Sequence, residues 1–299
     1  MLLSKGETHR IHEGDCITHM ADMPAASVDF SIFSPPFPSL FAYTSEPCDI
    51  GNVNEIRTEA KLHLAFFYNQ LVKVMKPGRV VIVHVAQIPG LLRNGELGTT
   101  DFRGLNIRMA QRAGFIYQYD WLVTKNPQAQ AIRTHSHKLL FVQLERDRAK
   151  NCGAFGDYLI KIIAPGENAV PIDQGSITRQ EWIDWAEGCW PWSDIRETDT
   201  LNVREARGKD DVKHICPLQL GVIDRCVRLF SNPDDVVFSP FAGIGSEGYI
   251  AVKRYRRFYG CEIKREYIDA ARRNLKRAEE ARADESKGLF SDDLLPVSA

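Results

Sequence analysis

No stretch of this sequence approaches the roughly 18 consecutive apolar residues that a membrane-spanning helix requires, although 44% of its 299 residues are hydrophobic. Lys5, Glu7, His9 and Arg10 interrupt the first apolar residues, which argues against a secretory signal. We therefore expect a cytoplasmic protein with no membrane segment. The length suits one large domain, or a main domain with a small insertion.

Paired cysteines are also missing. The seven cysteines are odd in number and none forms a C-x-x-C motif, which argues against a disulfide framework and against a structural zinc site. No metal site is predicted. We expect most of the cysteines to be reduced and several to be buried.

Excess positive charge is absent as well, because the formal net charge is −1. A nucleic-acid surface nevertheless needs only a local basic patch. Three basic clusters are present, each of which could also be an ordinary solvated face: Arg133 to Lys138, Arg146 to Lys150, and Lys253 to Arg257.

Segments of strand and helix character alternate along the chain, which predicts an α/β fold with a mostly parallel, helix-covered sheet. The predicted strands cover Val28 to Phe33, Arg79 to Val85, Phe115 to Thr124, Lys138 to Leu144, Asp235 to Phe238 and Phe258 to Ile263. The predicted helices cover Ala60 to Met75, Leu105 to Ala113, Leu218 to Phe230, Ser246 to about Tyr255, and Glu266 to about Arg282.

From about Glu145 to Val212 the alternation gives way to many polar and turn residues, which indicates an insertion or a less regular region. Four of the five tryptophans lie here: Trp182, Trp185, Trp190 and Trp192. We expect most of these side chains to be buried.

A glycine turn follows the predicted strand that ends at Phe238. Gly243 and Gly245 allow a tight turn and close approach to a ligand, and the amides of the following helix favour a carboxylate or phosphate. Glu262, at the end of the next strand, could accept both hydrogens of a ribose diol. A structural turn or a dinucleotide site would also fit, but the spaced acid and the missing third glycine favour S-adenosylmethionine.

A second loop follows the predicted strand that ends at Phe33. Two prolines, Pro35 and Pro36, fix the backbone and remove two amide donors, which leaves carbonyl acceptors without competition. Ser34 adds a side-chain acceptor and Phe37 a flat face on which a flipped base could stack. Acceptors that hold both hydrogens of a nucleobase amino group would free its lone pair for attack on a methyl group. A rigid exit from the strand is the structural alternative. Both loops follow strands, so we expect them at the same sheet edge.

Together the two loops resemble the amino-methyltransferases of DNA. The S-P-P-F run at Ser34 to Phe37 matches their (Asp/Asn/Ser)-P-P-aromatic catalytic motif, and Pro240 to Ser246 matches their D-P-F-x-G-x-G cofactor loop. The order of the two motifs is that of the β class. Four shorter segments also resemble this class: Ile11 to Cys16, Val74 to Gly78, Ser136 to Phe141, and Lys213 to Pro217.

The resemblance, over about 1–145 and 190–282, implies a Rossmann-like S-adenosylmethionine-dependent methyltransferase fold with an inserted target-recognition region. It implies a catalytic half at 1–144, a target-recognition region at 145–212, a cofactor-binding half at 213–284 and a loose tail at 285–299. The implied catalytic residues are Ser34, Pro35, Pro36 and Phe37. The implied contacts to S-adenosyl-L-methionine are Asp15, Cys16, His214, Pro217, Phe241, Ala242, Gly243, Gly245, Ser246 and Glu262.

The implied substrate is double-stranded DNA, with Arg133, His135 and Arg146 as contacts to phosphates or bases. A homodimer is implied as well, and a cognate restriction endonuclease is a candidate partner. The sequence departs from the family pattern at Ser239, which replaces an Asp that helps to orient the amino end of the cofactor. It departs again at Lys213 to Pro217, which has K-H-I-C-P where the family has K-H-P.

The resemblance leaves two candidates for the base that is methylated, adenine and cytosine. The S-P-P-aromatic motif is commonest in N4-cytosine enzymes, but the longer run from Ser34 to Thr44 resembles adenine enzymes of phages and prophages. We favour N6 of adenine, with N4 of cytosine as the alternative.

Three other readings are weaker. A 5-methylcytosine enzyme needs a Pro-Cys nucleophile, and Pro47-Cys48 lacks both a preceding strand and an accompanying Glu-Asn-Val. A nicotinamide oxidoreductase would carry its glycine fingerprint near the chain start, together with a proton-transferring residue. The intact Ser34 to Phe37 motif argues against a non-catalytic DNA-binding relative.

Overall fold

Helices cover both faces of an eight-stranded sheet in the computed structural model, which describes residues 2–38, 44, 49–52, 59–89, 98–129, 141–150, 153–203 and 217–291. The strands are β1 His9–Glu13, β2 Phe30–Phe33, β3 Val80–Ala86, β4 Ile88–Pro89, β5 Thr99–Thr100, β6 Ile116–Val123, β7 Asp157–Ile163, β8 Cys189–Trp190, β9 Val236–Ser239 and β10 Arg257–Glu262. The helices are α1 Cys16–Asp22, α2 Glu59–Val74, α3 Phe102–Arg112, α4 Phe141–Arg146, α5 Arg179–Trp185, α6 Leu220–Phe230, α7 Ser246–Lys253 and α8 Arg265–Ser291. Short 3-10 turns cover Ile50–Asn52 and Arg148–Lys150.

The main sheet has the strand order β1-β10-β9-β2-β3-β7-β6-β8. The first five strands in this order run parallel to one another. Strand β7 is antiparallel to both of its neighbours, β3 and β6, and β8 is parallel to β6. Strands β4 and β5 form a separate pair. The predicted α/β class with a mostly parallel sheet is confirmed.

Alternation of buried side chains along the strands builds two hydrophobic cores, one on each face of the sheet. In β2, Ile32 packs into one core and Phe33 into the other. Helices α1, α2 and α3 cover the Phe33 side, whereas α6, α7 and α8 cover the Ile32 side. Most helices are therefore amphipathic coverings of a sheet that is buried on both faces.

Two sequence predictions of secondary structure were wrong. The predicted strand Lys138 to Leu144 lies partly outside the described residues, and its described part belongs to helix α4, Phe141–Arg146. Gln143, Glu145 and Arg146 are good helix formers, and this propensity outweighs the short apolar run before them. The loose tail predicted over 285–299 is helical as far as Ser291, because α8 continues through good helix formers such as Glu285, Lys287 and Leu289. The rest of the predicted tail lies outside the described residues.

The irregular region predicted over 145–212 contains a strand of the main sheet. Strand β7 starts at Asp157 and lies between β3 and β6. The sequence pattern did not reveal this strand, because its short apolar run lies among glycines, prolines and tryptophans. The expectation that most tryptophans of this region are buried was also wrong: Trp185 and Trp190 are buried, whereas Trp182 and Trp192 are exposed.

The four described cysteines are free thiols, of which Cys16, Cys226 and Cys261 are buried and Cys189 is exposed. Burial raises the pKa of the Cys226 thiol. Among the described residues, no helix combines the length and the apolar composition that crossing a bilayer would need.

Buried charges tie β2, β3 and β9 together at the amino edge of the sheet. The Arg79 guanidinium, 2% exposed, lies 3.3 Å from Asp29 Oδ1 and 3.1 Å from Asp235 Oδ2. Asp29 Oδ2 also accepts a hydrogen bond of 3.0 Å from the Val236 amide, and Lys76 Nζ lies 2.6 Å from Asp29 Oδ1. One cation at the start of β3 therefore holds carboxylates from the starts of β2, its parallel neighbour, and β9, the next strand beyond β2.

We expect Arg79→Met to lower the free energy of unfolding by about 3–5 kcal/mol, because it leaves Asp29 buried with only a half-exposed lysine as its cationic partner. Urea unfolding followed by circular dichroism measures this loss. The matched control is Arg108→Met, whose side chain is 57% exposed and lies 3.6 Å from Asp101, and it should cost less than about 1 kcal/mol. Equal losses in the two variants would contradict a structural role for the buried ion cluster.

Candidate active site

A cavity of about 260 Å³ opens at the carboxyl edge of the parallel strands. Residues that follow β1, β2, β9 and β10 line it. Parallel neighbours end at the same edge of a sheet, so the loops that leave them meet there. The predicted meeting of the Ser34 loop and the Gly243 loop at one sheet edge is confirmed.

The Ser34 to Phe37 segment forms one wall of this cavity. Pro35 is buried, while Ser34, Pro36 and Phe37 are partly exposed. The Phe37 ring packs against Phe102 with a centroid distance of 5.5 Å. Helix α3 therefore holds the aromatic ring in place while part of it faces the cavity.

The loop after β9 forms the facing wall, with Phe241, Ala242, Gly243 and Ser246 among its lining residues. Gly243 adopts a left-handed conformation, with φ of +51°, which favours glycine. The Phe241 ring lies behind it, 5.1 Å from the Phe67 ring centroid. These contacts fix the turn against the core on the Phe33 side.

Gly245 has a different position from its neighbours. It is the N-cap of α7 with φ of +82°, and it is not among the cavity-lining residues. A Cβ at this position would lie 3.1 Å from the Ala271 Cβ. Gly245 therefore allows α7 and α8 to pack closely.

Glu262 closes the floor of the cavity and is 9% exposed. Its Oε2 accepts a 2.8 Å hydrogen bond from the Gly243 amide. Its Oε1 accepts from the amides of Ile263 and Lys264, at 3.0 and 2.9 Å. A carboxylate has about four acceptor positions, so the described bonds leave one, on Oε2. Burial raises the pKa of this carboxyl, against the lowering effect of the three amides.

Asp15 and Cys16 line the cavity at the start of α1. The Asp15 carboxylate caps that helix, accepting from the Thr18 amide at 2.8 Å and from the Ile17 amide at 3.3 Å. Capping fixes the chain direction just after β1. Burial raises the pKa of the Cys16 thiol well above its usual range.

Some of the remaining predicted site residues are described by the structure and others are not. Pro217 lines the cavity, whereas Arg146 is exposed at the end of α4 and is not among the lining residues. Three positions lie outside the described residues: His214, Arg133 and His135. The alternative nucleophile Cys48 lies outside them as well.

The basic cluster at Lys253 to Arg257 has structural partners at the opposite edge of the sheet, just before β10 begins. Arg254 pairs with Asp224. Arg256 donates to Ser231 Oγ at 3.0 Å, and Arg257 donates to the Leu3 carbonyl at 3.1 Å.

Five polar residues that sequence reasoning did not single out also line the cavity: Asp49, His84, Lys125, Asp157 and Glu247. Two of them carried a local signal, because His84 interrupts the β-branched run of β3 and Asp157 begins an apolar run. Their shared edge depends on strand order, which the sequence pattern does not contain.

Glu247, in the first turn of α7, is a buried acid that faces the cavity. Burial raises its pKa to about 8. Ser239, the position at which the sequence departs from D-P-F, is fully buried, and its hydroxyl has no hydrogen-bond partner among the described residues. The cavity thus lacks an acid at residue 239 and has a buried one at residue 247.

A family model described as DNA methylase, of the N6 and N4 type, matches residues 28–273. The chain belongs to the N6/N4 DNA methylase family. Its sequence is similar to the type II methyltransferase M1.MboII of Moraxella bovis, with 33% identity over 82 residues, 27% of this chain and 30% of that protein. The alignments to curated relatives span less than half of those proteins' lengths.

Two solved structures of 20% identity or less share the fold. TTHA0409 of Thermus thermophilus, complexed with S-adenosyl-L-methionine, has a TM-score of 0.66 and 20% identity, over 90% of this chain and 94% of that one. The PvuII DNA methyltransferase, described as cytosine-N4-specific, has a TM-score of 0.65 and 16% identity, over 93% of this chain and 92% of that one. The Rossmann-like methyltransferase fold expected from the sequence is confirmed.

The cofactor that membership of this family implies is S-adenosylmethionine, and the cavity residues fit it. Glu262 keeps an acceptor for a ribose hydroxyl beside the Gly243 turn. Glu247 adds a buried carboxyl with a pKa of about 8, whose ionised form a group of positive charge beside it would favour. Both sit where the loop after β9 meets the end of β10.

We expect Glu247→Gln to change stability in a pH-dependent way. A carboxyl whose folded pKa is about 8, against an ordinary 4.5, contributes stability below pH 4.5 that is lost as pH rises through 8. The variant should therefore gain stability relative to the wild type, on the order of a few kcal/mol, across this window. Urea unfolding at a series of pH values measures the difference.

The matched control is Glu59→Gln, which makes the same substitution at an exposed carboxyl at the start of α2. A pH-independent difference for Glu247→Gln would mean that the Glu247 carboxyl is solvated.

Proposed function

We propose that this protein transfers a methyl group from S-adenosylmethionine to the N6 amino group of adenine in duplex DNA, after the base is flipped out of the helix. The observation that carries the proposal is the cavity that both the Ser34 to Phe37 segment and the Gly243 turn line. A cavity lined by both of these loops can hold a methyl donor beside an amino group. In-line transfer depends mainly on such positioning.

In this proposal Ser34 and the backbone of Pro35 hold the amino group, and the Phe37 ring stacks on the flipped base. The packing of Phe37 against Phe102 supports this role, because a ring that is already immobilised loses little freedom on stacking. Base stacking on an aromatic side chain is worth about 1–3 kcal/mol. Extrusion of the base costs a few kcal/mol, which such contacts offset.

In this proposal, different residues bind the adenine, ribose and methionine parts of S-adenosylmethionine. Asp15 and Cys16 lie at the adenine end, Glu262 at the ribose, and the loop from Phe241 to Ser246 with Pro217 at the methionine end. Glu247 takes over the acidic role that Ser239 cannot fill, since its buried carboxyl faces the cavity. His214 belongs to the same set by family resemblance.

The choice of adenine rests on the resemblance of the run from Ser34 to Thr44 to phage and prophage adenine enzymes. N4 of cytosine is the second candidate, because the S-P-P-aromatic motif at Ser34 to Phe37 is commonest in N4-cytosine enzymes. Both reactions use the same acceptors and the same stacking face.

We propose that the DNA is contacted by the target-recognition region at 145–212 and by Arg133, His135 and Arg146. Exposed Trp192 supports this location, because its amide donates to Thr124 Oγ1 at 2.9 Å just past the carboxyl end of β6. Trp192 is thus near the carboxyl edge of the sheet, where the cavity opens. A homodimer and a cognate endonuclease are further proposals that rest on the family resemblance.

We expect purified protein, incubated with mixed-sequence duplex DNA and S-adenosylmethionine, to produce N6-methyldeoxyadenosine. Digestion to nucleosides followed by mass spectrometry measures the product. Formation of N4-methyldeoxycytidine would support the amino-methylation reaction but would change the target base from adenine to cytosine. Neither product, in DNA and RNA of varied sequence, would contradict the proposed activity.

The control for this experiment is Ser34→Ala combined with Phe37→Ala. It should reduce product formation by at least about 100-fold and leave the affinity for S-adenosylhomocysteine unchanged, because both side chains serve the base. Phe66→Ala is the matched aromatic control, since Phe66 is 54% exposed on α2 and is not a lining residue. Unchanged turnover in the double variant would remove the assigned role from the Ser34 loop.

A further inference from the structure

Behind Ser34, three polar side chains form a continuous chain of contacts. Ser34 Oγ lies 3.3 Å from His84 Nδ1. His84 Nε2 lies 3.0 Å from Asp157 Oδ2, and Asp157 Oδ1 lies 2.7 Å from Lys125 Nζ. All four residues line the cavity.

The reversed direction of β7 makes this arrangement possible. Ser34 follows β2, His84 lies near the end of β3, and Lys125 follows β6, all at the carboxyl edge. Because β7 is antiparallel to its neighbours, its first residue, Asp157, is at that same edge. The register confirms this, since Asp157 pairs with the last residues of β3 and β6, Ala86 and Val123.

These contacts are largely shielded from solvent. The Asp157 side chain is 2% exposed, and those of His84 and Lys125 are 12% and 23% exposed. Burial raises the pKa of Asp157, but His84 and Lys125 more than offset it and hold that pKa below its ordinary value. Among the described residues, His84 Nε2 and Asp157 Oδ2 are buried and make no bond of hydrogen-bond geometry, so their 3.0 Å contact is an ion-pair contact.

An ionised Asp157 that lies 3.0 Å from Nε2 biases which imidazole nitrogen carries the proton. The carboxylate favours a proton on Nε2, so the lone pair of Nδ1 faces Ser34. The Ser34 hydroxyl then donates to Nδ1, and its oxygen presents its own lone pairs to the cavity. This is the orientation that a base amino group needs, because the group must donate to its acceptors.

We propose that His84 is the proton acceptor behind Ser34 in methyl transfer, and that Asp157 and Lys125 are positioning residues that hold its tautomer. This inference rests on the proposed function and adds the fate of the proton to it. A serine hydroxyl is a poor base by itself, whereas an imidazole paired with a carboxylate is a good one.

The step balances as follows. The base nitrogen forms a bond to the methyl carbon while the carbon–sulfur bond breaks and its electron pair stays on sulfur. The nitrogen is then positively charged and releases one proton to Ser34 Oγ, as the Ser34 hydroxyl proton passes to His84 Nδ1. The imidazolium is stabilised by Asp157 and returns its proton to water after the product leaves.

The tautomer can be tested without catalysis, by nitrogen-15 NMR of histidine-labelled protein with the His84 signals assigned from His84→Asn. The wild type should show a protonated Nε2 and an unprotonated Nδ1. Asp157→Asn should shift the proton towards Nδ1. A proton on Nδ1 of the wild type would overturn the proposal, whatever the activity.

Catalysis tests the proton transfer. At saturating DNA and cofactor, His84→Ala should slow single-turnover methyl transfer by about 10²- to 10⁴-fold, with the dissociation constants of DNA and S-adenosylhomocysteine within about twofold of the wild type. Added imidazole should restore part of the rate, which a purely structural role would not allow. If His84→Ala does not fold, His84→Asn serves instead, since its carbonyl can still accept from Ser34.

His63→Ala is the matched control, because His63 is in α2 and outside the cavity lining, and it should transfer methyl groups at the wild-type rate. Full activity of His84→Ala or His84→Asn would overturn the relay and leave the proposed function standing. A loss that imidazole does not restore, with a weakened cofactor complex, would also overturn it. A wild type that methylates no nucleic acid would instead overturn the proposed function, and the NMR result would then decide the tautomer by itself.

Discussion

The parallel pairing of β2 between β9 and β3 is the constraint on which the site depends. Three adjacent strands that run in one direction must release their chains at one edge, and this brings the Ser34 segment and the Gly243 turn to a common cavity. At the opposite edge, the buried Arg79 side chain pairs with carboxylates at the starts of β2 and β9. The two edges therefore have different tasks: buried ion pairs align the strands at one, and open loops bind ligands at the other.

Strand β7 modifies this plan. By running antiparallel between β3 and β6, it brings its amino end to the edge where the other strands have their carboxyl ends. A buried carboxylate, Asp157, thereby reaches a histidine on β3 and a lysine after β6. The segment that supplies it comes from the region that the sequence pattern marked as an insertion, so part of this region belongs to the core of the domain.

The parts of the fold and site that follow from local sequence could be predicted. The strand before Ser34 and the strand–turn–helix around Gly243 carry their own hydrophobic periods and turn residues, and the structure has them where the sequence puts them. Contacts that depend on strand order could not be predicted: His84, Lys125 and Asp157 are far apart in sequence and meet only through β7. Glu247 was missed for a different reason, because the burial of an acid in the first turn of a helix depends on tertiary packing and not on the local pattern. The helix at Phe141–Arg146 shows that a short apolar run does not distinguish a strand from a helix.

Hydrogen exchange with and without S-adenosylhomocysteine tests the central claim most directly, that one cavity at the carboxyl edge holds the cofactor. The cofactor product should slow amide exchange together in three separate peptides, covering residues 14–18, 240–247 and 262–264, because all three face the same cavity. Peptides from the ion cluster at the amino edge should be unchanged. Slowing confined to other segments, or absent from all three at saturating ligand, would contradict the assignment of this cavity to the cofactor.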